Sequence, residues 1–204
     1  MKTGPKYKIC RRLGERVFGK CQTAKFTISG AEKKRKTGKH PKSAPSEFAL
    51  QLLEKQKARF TYGISEKQFS NYVEIVRKHQ GANRTAGLSK LLETRLDNVV
   101  FRLGLAASRS LARQLVSHGH IAINGKRIRV PSYSVKQGDL IKVVARSVQN
   151  KLFENLDEKL KNHATPEWLS FDVAKKEGMV KGEPVFGQTE ANINYEAILE
   201  FYSR

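Results

Sequence analysis

The chain has 204 residues, 39% of them hydrophobic, and carries 39 Lys and Arg against 19 Asp and Glu, a formal net charge of +20. That is enough apolar material for one or two cored domains and too much for wholesale disorder. No window approaches the ~18 consecutive apolar residues of a membrane-spanning helix, and the basic N-terminus lacks the apolar stretch of a signal peptide, so the charge points to a polyanion, nucleic acid before acidic lipid.

The charge is uneven: net +13 over residues 1–60, +10 over 61–146 and −3 over 147–204. Residues 1–45 read as a basic arm. KICRR brings Arg11 and Arg12, and AEKKRKTGKHPK brings the run Lys33, Lys34, Arg35, Lys36. With little apolar periodicity the arm is expected to order on a polyanion rather than fold alone. Cys10 and Cys21 are the only cysteines, and without an export signal they suggest free thiols in a reducing cytoplasm. A structural zinc takes four ligands. His40 is the nearest third candidate and no fourth is evident, so neither metal nor cofactor is expected.

From Ser46 the pattern turns helical. Phe48, Leu52 and Leu53 lie near one face, the basic end EKQKARF supplies Lys55, Lys57 and Arg59, and Gly63 breaks the helix. Ser65 and Gln68 read as a capping box. It opens a helix whose Phe69, Tyr72, Val73 and Val76 recur at i, i+3, i+4, i+7 and face inward, with Gly81 as its stop. Tyr62 and Tyr72 have rings able to stack on bases, although aromatics on a helix face more often belong to the core.

Leu88 to Leu103 reads as one helix with Leu88, Leu92, Leu96, Val99 and Leu103 buried, Arg95 and Arg102 together on the other side, and Gly104 as its end. Asp97 lies inside that helix and is expected to pair with a neighbouring arginine. Ser108 caps the next helix. There Leu111 and Leu115 point inward, and Arg109 and Arg113 sit one turn apart on a single side. His118 and His120 flank Gly119, placed either to meet a phosphate or ribose or to cap the helix end. Ile121 and Ile123 start a strand, Asn124-Gly125 supplies the type I′ turn of a two-residue hairpin, and Ile128 and Val130 continue the return strand. Lys126 and Arg127 follow the turn. Val135 and a Gly138-Asp139 turn lead to a strand at LIKVVA.

Residues 151–161 return to helix, with Leu152, Leu156 and Leu160 at spacing four. WLSFDV is a short strand or extended piece, and INYEAILEFYSR is an apolar-faced helix with an acidic edge that needs a packing partner. The chain holds no internal repeat and no P-loop, G-x-G-x-x-G, G-x-S-x-G or H-E-x-x-H signature, so no enzyme is expected.

The stretch LLETRLDNVVFRLGLAASRSLARQLVSHGHIAINGKRI resembles the small S4 RNA-binding module. Arg95-Leu96-Asp97, Arg102, Ser108-Arg109, Ala112 to Val116, His118 and Ile123-Asn124-Gly125 all fall in its register. The module also occurs in pseudouridine synthases, a tyrosyl-tRNA synthetase tail and a heat-shock protein. GPKYKICRR, LLEKQKARFTYGISEKQFSNY and LEFYSR extend the resemblance to the ribosomal protein S4 family over the chain, most loosely at 22–45.

That resemblance implies an α+β fold. A mainly helical domain at 46–90, completed by 180–204, carries an inserted α/β RNA-binding module at 91–155 with a small, mostly antiparallel sheet. A connecting segment spans 156–179, and the extended basic arm spans 1–45. It also implies a bacterial-type or organellar constituent of the small ribosomal subunit in the cytoplasm. Such a protein binds 16S rRNA early, at a multi-helix junction of the 5′ domain, and nucleates assembly. It lies beside ribosomal protein S5 and near the channel through which mRNA enters, and influences decoding accuracy.

The RNA-binding candidates are Arg95, Arg102, Arg109, Arg113, Gln114, His118, Lys126 and Arg127 in the module. Lys55, Lys57, Arg59, Lys67 and Gln68 serve from the helical domain, and Arg11, Arg12, Lys33, Lys34, Arg35 and Lys36 from the arm. Some family members hold zinc on four arm cysteines; with Cys10 and Cys21 alone, that metal is not carried over. Two rival readings stand: an RNA-modifying enzyme using Asp97, which needs a second catalytic domain, and a free RNA chaperone, which does not need the basic arm and the helical domain together.

Overall fold

Serine hydroxyls set the starts of three helices, each Oγ accepting from a backbone amide three residues on: Ser46 from Ala49 at 3.3 Å, Ser65 from Gln68 at 3.4 Å and Ser108 from Leu111 at 3.3 Å. The computed structural model in which they are seen describes residues 4–23, 26, 45–79, 83–149, 153, 160, 163–172, 175–187 and 193–203. The chain divides into two compact units, residues 1–79 with 192–204, and residues 80–191.

The first unit is helical. α1 spans Lys6–Leu13, followed by a 3-10 turn at Gly19–Cys21. α2 spans Glu47–Tyr62, α3 spans Glu66–Lys78, and the C-terminal α8 spans Tyr195–Ser203. Phe69, Val73 and Val76 of α3 are buried as their spacing predicts. α2 departs from expectation. Phe48 is exposed and stacks on Phe201 of α8 with centroids 5.4 Å apart, while the buried face runs through Gln51, Lys55, Ala58 and Tyr62. The polar members of that face are bonded across helices: Gln51 Nε2 donates to Glu200 at 3.1 Å, and the Tyr62 and Tyr195 hydroxyls meet at 3.2 Å. Tyr62 is therefore a core residue, not a base-stacking one.

The arm also departs from expectation where it is described. An eight-residue helix is too short to persist alone in water, but Cys10, Cys21 and Phe26 form a small buried cluster with Val17 and Phe18 against it. α2 supports it: Phe18 meets Phe60 edge-on at 6.1 Å, and Lys57 pairs with Glu15 at 2.6 Å. Burial, and then the adjacent Cys10 thiol, push the Cys21 thiol up to about 11, so it stays protonated at neutral pH. Lys33, Lys34, Arg35, Lys36 and His40 lie outside the described residues, as does the expected stop at Gly81; α3 ends at Lys78, with His79 as its cap.

The second unit is α+β. α4 spans Arg84–Glu93, α5 Leu96–Arg102 and α6 Arg109–Ser117. A five-stranded sheet of β1 (Ile121–Ile123), β2 (Lys126–Ile128), β3 (Leu140–Val143), β4 (Leu169–Asp172) and β5 (Glu177–Val180) has the order β2-β1-β3-β5-β4, every pair antiparallel. A short α7 (Ala145–Val148) follows β3. Asn124 and Gly125 both take positive φ, 49° and 79°, as a type I′ hairpin requires. Val130 lies beyond the return strand and is exposed. The core is the inner face of the sheet (Ile121, Ile123, Ile141, Val143) closed by Leu96, Val99, Val100 and Leu103 of α5 and Leu115 and Val116 of α6.

α4 falls in this unit rather than with the helical one, and the connecting segment expected at 156–179 supplies β4 and most of β5. Of the helix expected at 151–161, only Phe153 and Leu160 are described, both buried.

Candidate nucleic-acid interface

The single helix expected over Leu88–Leu103 is two. Arg95 is extended at ψ 135°, and its neighbours are held by a segment forty residues on. Leu96 N donates to Tyr133 O at 2.8 Å, Asp97 N to Pro131 O at 3.1 Å, and Val135 N to Thr94 O at 2.9 Å. Thr94 closes α4 by donating its hydroxyl to Lys90 O at 2.8 Å. The break turns Arg95 inward. Its side chain is 3% exposed, where a continuous helix would have carried it outward beside Arg102.

Two buried carboxylates organise four arginines around this break. Asp97 accepts from Nε and Nη2 of Arg95, at 3.0 and 2.9 Å, and on Oδ2 also accepts Nε and Nη2 of Arg113, at 2.9 and 2.6 Å. Glu93 accepts the fork of Arg102 at 3.2 and 2.9 Å. Asn98 joins the halves: its Nδ2 donates to Glu93 O and Oε2 at 3.0 and 2.8 Å, and its Oδ1 accepts from Arg109 Nε at 2.8 Å. The Arg109 guanidinium also lies 4.5 Å over the Phe101 ring. The carboxylates are sealed, at 1% and 3% side-chain exposure, while Arg102 and Arg113 keep 18% and 28%. Two negative charges inside and four positive ones around them leave a net +2, directed outward. Asp97 does pair with arginine, and on both sides. A carboxylate so enclosed serves structure, not acid–base chemistry.

The basic row continues around the hairpin. Gln114, His118, Lys126 and Arg127 are exposed. Arg127 Nε donates to Gly119 O at 2.6 Å and Nη2 to His118 O at 2.9 Å, so the guanidinium caps the carbonyl end of α6. His118 is itself the cap residue of α6. His120 turns to the Ser147 hydroxyl at 2.9 Å; burial first, then the charges of His118 and Arg127, lower its pKa. Arg129, just past β2, is exposed as well, and so is Arg84 at the start of α4.

Gly119 holds φ +71°, and a Cβ there would run into Arg127 Nε and lie 2.9 Å from its Cζ. Gly119→Ala is expected to cost about 1–2 kcal/mol for the left-handed backbone alone and to displace Arg127. Urea denaturation checks it: a variant as stable as the parent would mean that the helix end and Arg127 are not built as one unit.

In the helical unit the candidates are differently placed. Lys55 donates to Glu66 at 2.8 Å and lies 4.3 Å over the Phe201 ring. Lys57 is buried against Glu15 and Glu54, and Arg59 pairs with Glu66 at 2.6 Å. Lys67 is exposed and Gln68 half-buried, and on α1 Arg11 and Arg12 are exposed. Desolvation raises the Glu66 carboxyl, but hydrogen bonds from Lys55, Tyr202 and Arg59 outweigh it and bring the pKa down to about 2. Burial and the Glu66 carboxylate push Tyr202 above its ordinary range.

A folded-state pKa below 4.5 gives stability that is present above pH 4.5 and lost as pH falls toward 2. The urea midpoint of the helical unit is expected to fall through that window. In Glu66→Gln that part of the slope should vanish; an unchanged slope would assign acid sensitivity to other carboxylates.

No helix among the described residues is long and apolar enough to cross a membrane, and no group of three His, Cys, Asp or Glu among them is placed to hold a metal. Compared with known proteins, residues 94–141 match the family model described as the S4 domain, and residues 1–93 the one described as the ribosomal protein S4/S9 N-terminal domain. Several curated relatives carry the name small ribosomal subunit protein uS4. The one from Endomicrobium trichonymphae is 43% identical, covering 97% of this chain and 96% of its own length. The one from Halothermothrix orenii is 42% identical, covering 98% of each. The one from Syntrophomonas wolfei is 44% identical, covering 96% and 95%.

Proposed function

Because this chain belongs to the ribosomal protein S4 family, we propose that it binds 16S rRNA directly, at a multi-helix junction of the 5′ domain, and nucleates assembly of the subunit there. It is a structural, non-enzymatic constituent of the small ribosomal subunit, in keeping with relatives named small ribosomal subunit proteins. The observation that carries the RNA-binding reading is the arginine array. Guanidiniums gripped from behind by buried Glu93 and Asp97 keep partly exposed edges.

RNA helices converging on a junction repel through their phosphates. A-form RNA hides its major groove, so recognition falls to shape, phosphate and 2′-hydroxyl contacts. Planar guanidiniums suit paired phosphate oxygens. Arg102, Arg109 and Arg113, with exposed Gln114, His118, Lys126, Arg127 and Arg129, form the contact surface in this reading. Arg11, Arg12, Lys67 and Gln68 serve from the helical unit. Arg95, Lys55, Lys57 and Arg59 hold the scaffold that presents them, and Lys33 to Lys36 extend the contacts along the arm. The exposed Glu196 and Glu200 on α8 suit a basic neighbour, which we assign to ribosomal protein S5. Placement near the channel through which mRNA enters, and a contribution to decoding accuracy, follow from the same reading.

Sedimentation tests it. The protein is expected to travel with small subunits through a high-salt wash, since a junction-bound scaffold is held by many cooperating contacts. Release into the soluble fraction at moderate salt would instead favour a transient RNA chaperone.

A further inference from the structure

We propose that Asn98 is a positioning residue for RNA recognition, fixing the Arg109 guanidinium relative to Arg102 through one side-chain amide. This rests on the RNA-binding reading above and goes beyond it by naming a positioning residue that carries no charge. Asn98 is 1% exposed, so it touches no RNA itself. Its amide orientation is set by its partners: a carboxylate at Glu93 demands the Nδ2 donors, and a guanidinium at Arg109 demands the Oδ1 acceptor.

Glu93 grips Arg102 with the same carboxylate, so Arg102, Glu93, Asn98 and Arg109 form one continuous chain of hydrogen bonds. Phe101 lies beneath the Arg109 guanidinium at 4.5 Å and limits its swing. A long, rotamer-rich side chain ordered before the RNA arrives does not have to be ordered by it. The chain therefore adds to affinity without adding to charge.

Charge and position separate in a salt titration. Asn98→Ala leaves the net charge unchanged. In the full-length protein it should weaken binding of a 16S 5′-domain RNA by about tenfold at fixed physiological salt, with the slope of log K against log salt unaltered. Arg109→Ala should weaken binding and also reduce that slope by about one. If Asn98 acts through Arg109, adding Asn98→Ala to Arg109→Ala should change affinity less than twofold. Additive losses, or an Asn98→Ala that folds and binds as the parent does, overturn the proposal.

Should Asn98→Ala fail to fold by circular dichroism, the wild-type protein still decides. The Nε–H resonance of Arg109 in the RNA-free protein is expected to be resolved and slow to exchange with water. A rapidly exchanging resonance overturns the proposal, because the guanidinium is then not held in advance. A wild-type protein that shows no preference for the 5′-domain RNA over an unrelated duplex removes the RNA-junction reading and this proposal together. Preference retained with a mobile Arg109 removes this proposal alone.

Discussion

Asp97→Ala is expected to destabilise the α+β unit by about 3–5 kcal/mol, the typical cost of leaving a buried charge without its partner. The group that loses its carboxylate is Arg95, 3% exposed and bonded to Asp97 through Nε and Nη2. Arg95 cannot escape to water without undoing the break between α4 and α5, because that break is pinned to residues 131–135 by backbone hydrogen bonds. Urea unfolding at constant m-value reads the loss as a lower midpoint. Replacing both partners, Arg95→Met with Asp97→Leu, should recover much of it, since apolar groups of similar volume often substitute for a buried ion pair. A single variant within 1 kcal/mol of the parent would show that water or another charge reaches the site.

The second large effect lies on RNA. Arg109→Ala with Arg113→Ala is expected to weaken 5′-domain RNA binding about 100-fold at physiological salt, two charge-assisted contacts being lost. The salt slope should fall by about two. Binding to an unrelated duplex should fall far less, because Lys126, Arg127 and Arg129 remain exposed. Equal losses on both RNAs would mean that the two arginines supply charge but not recognition. Arg95→Ala forms a useful contrast: its primary effect should be on stability, as its side chain lies inside.

Local signals made the frame of the fold legible. Serine caps and the Asn-Gly turn are each decided within a few residues and found as read, and so are most of the α3 and α6 stripes, with Tyr72 and Leu111 only half-buried. What the sequence hid is decided at a distance. Thr94 and Arg95 sit in an uninterrupted leucine pattern, and nothing near them signals that residues 131–135 will hydrogen-bond to them and split the helix. WLSFDV was readable as a strand, but its partner Glu177–Val180, with Gly178 in the middle, lacks the alternation that would announce one. Gly178 is there for contact: a Cβ would lie 3.0 Å from Leu103 Cδ2 and closer still to Cδ1.

The site was half legible. Spacing puts Arg109 and Arg113 on one side of α6, but it also puts Arg95 outward beside Arg102, and the structure turns Arg95 inward. Glu93 and Asn98, which hold Arg102 and Arg109, give no such signal, because polar residues beside Leu92 and Val99 read as the exposed side of an amphipathic helix. One clue was present: Glu93 and Asp97 are two of only five acidic residues in 61–146, four apart within a leucine-rich stretch. Lys55 and Lys57 show the converse. They read as a basic surface, yet both are buried against acidic partners, because α2 is covered on the side where its polar residues lie.

The central claim is that this net charge of +20 is arranged to recognise one RNA shape and is not a general polyanion glue. Competition at one fixed salt tests it most directly: labelled 16S 5′-domain RNA against equal masses of tRNA and an unrelated duplex, then the same series with salt varied. The account predicts a preference for the 5′-domain RNA of about 100-fold or more at physiological salt, in the range by which specific nucleic-acid complexes exceed non-specific ones. Similar affinities for all three, falling together as salt rises, would contradict it.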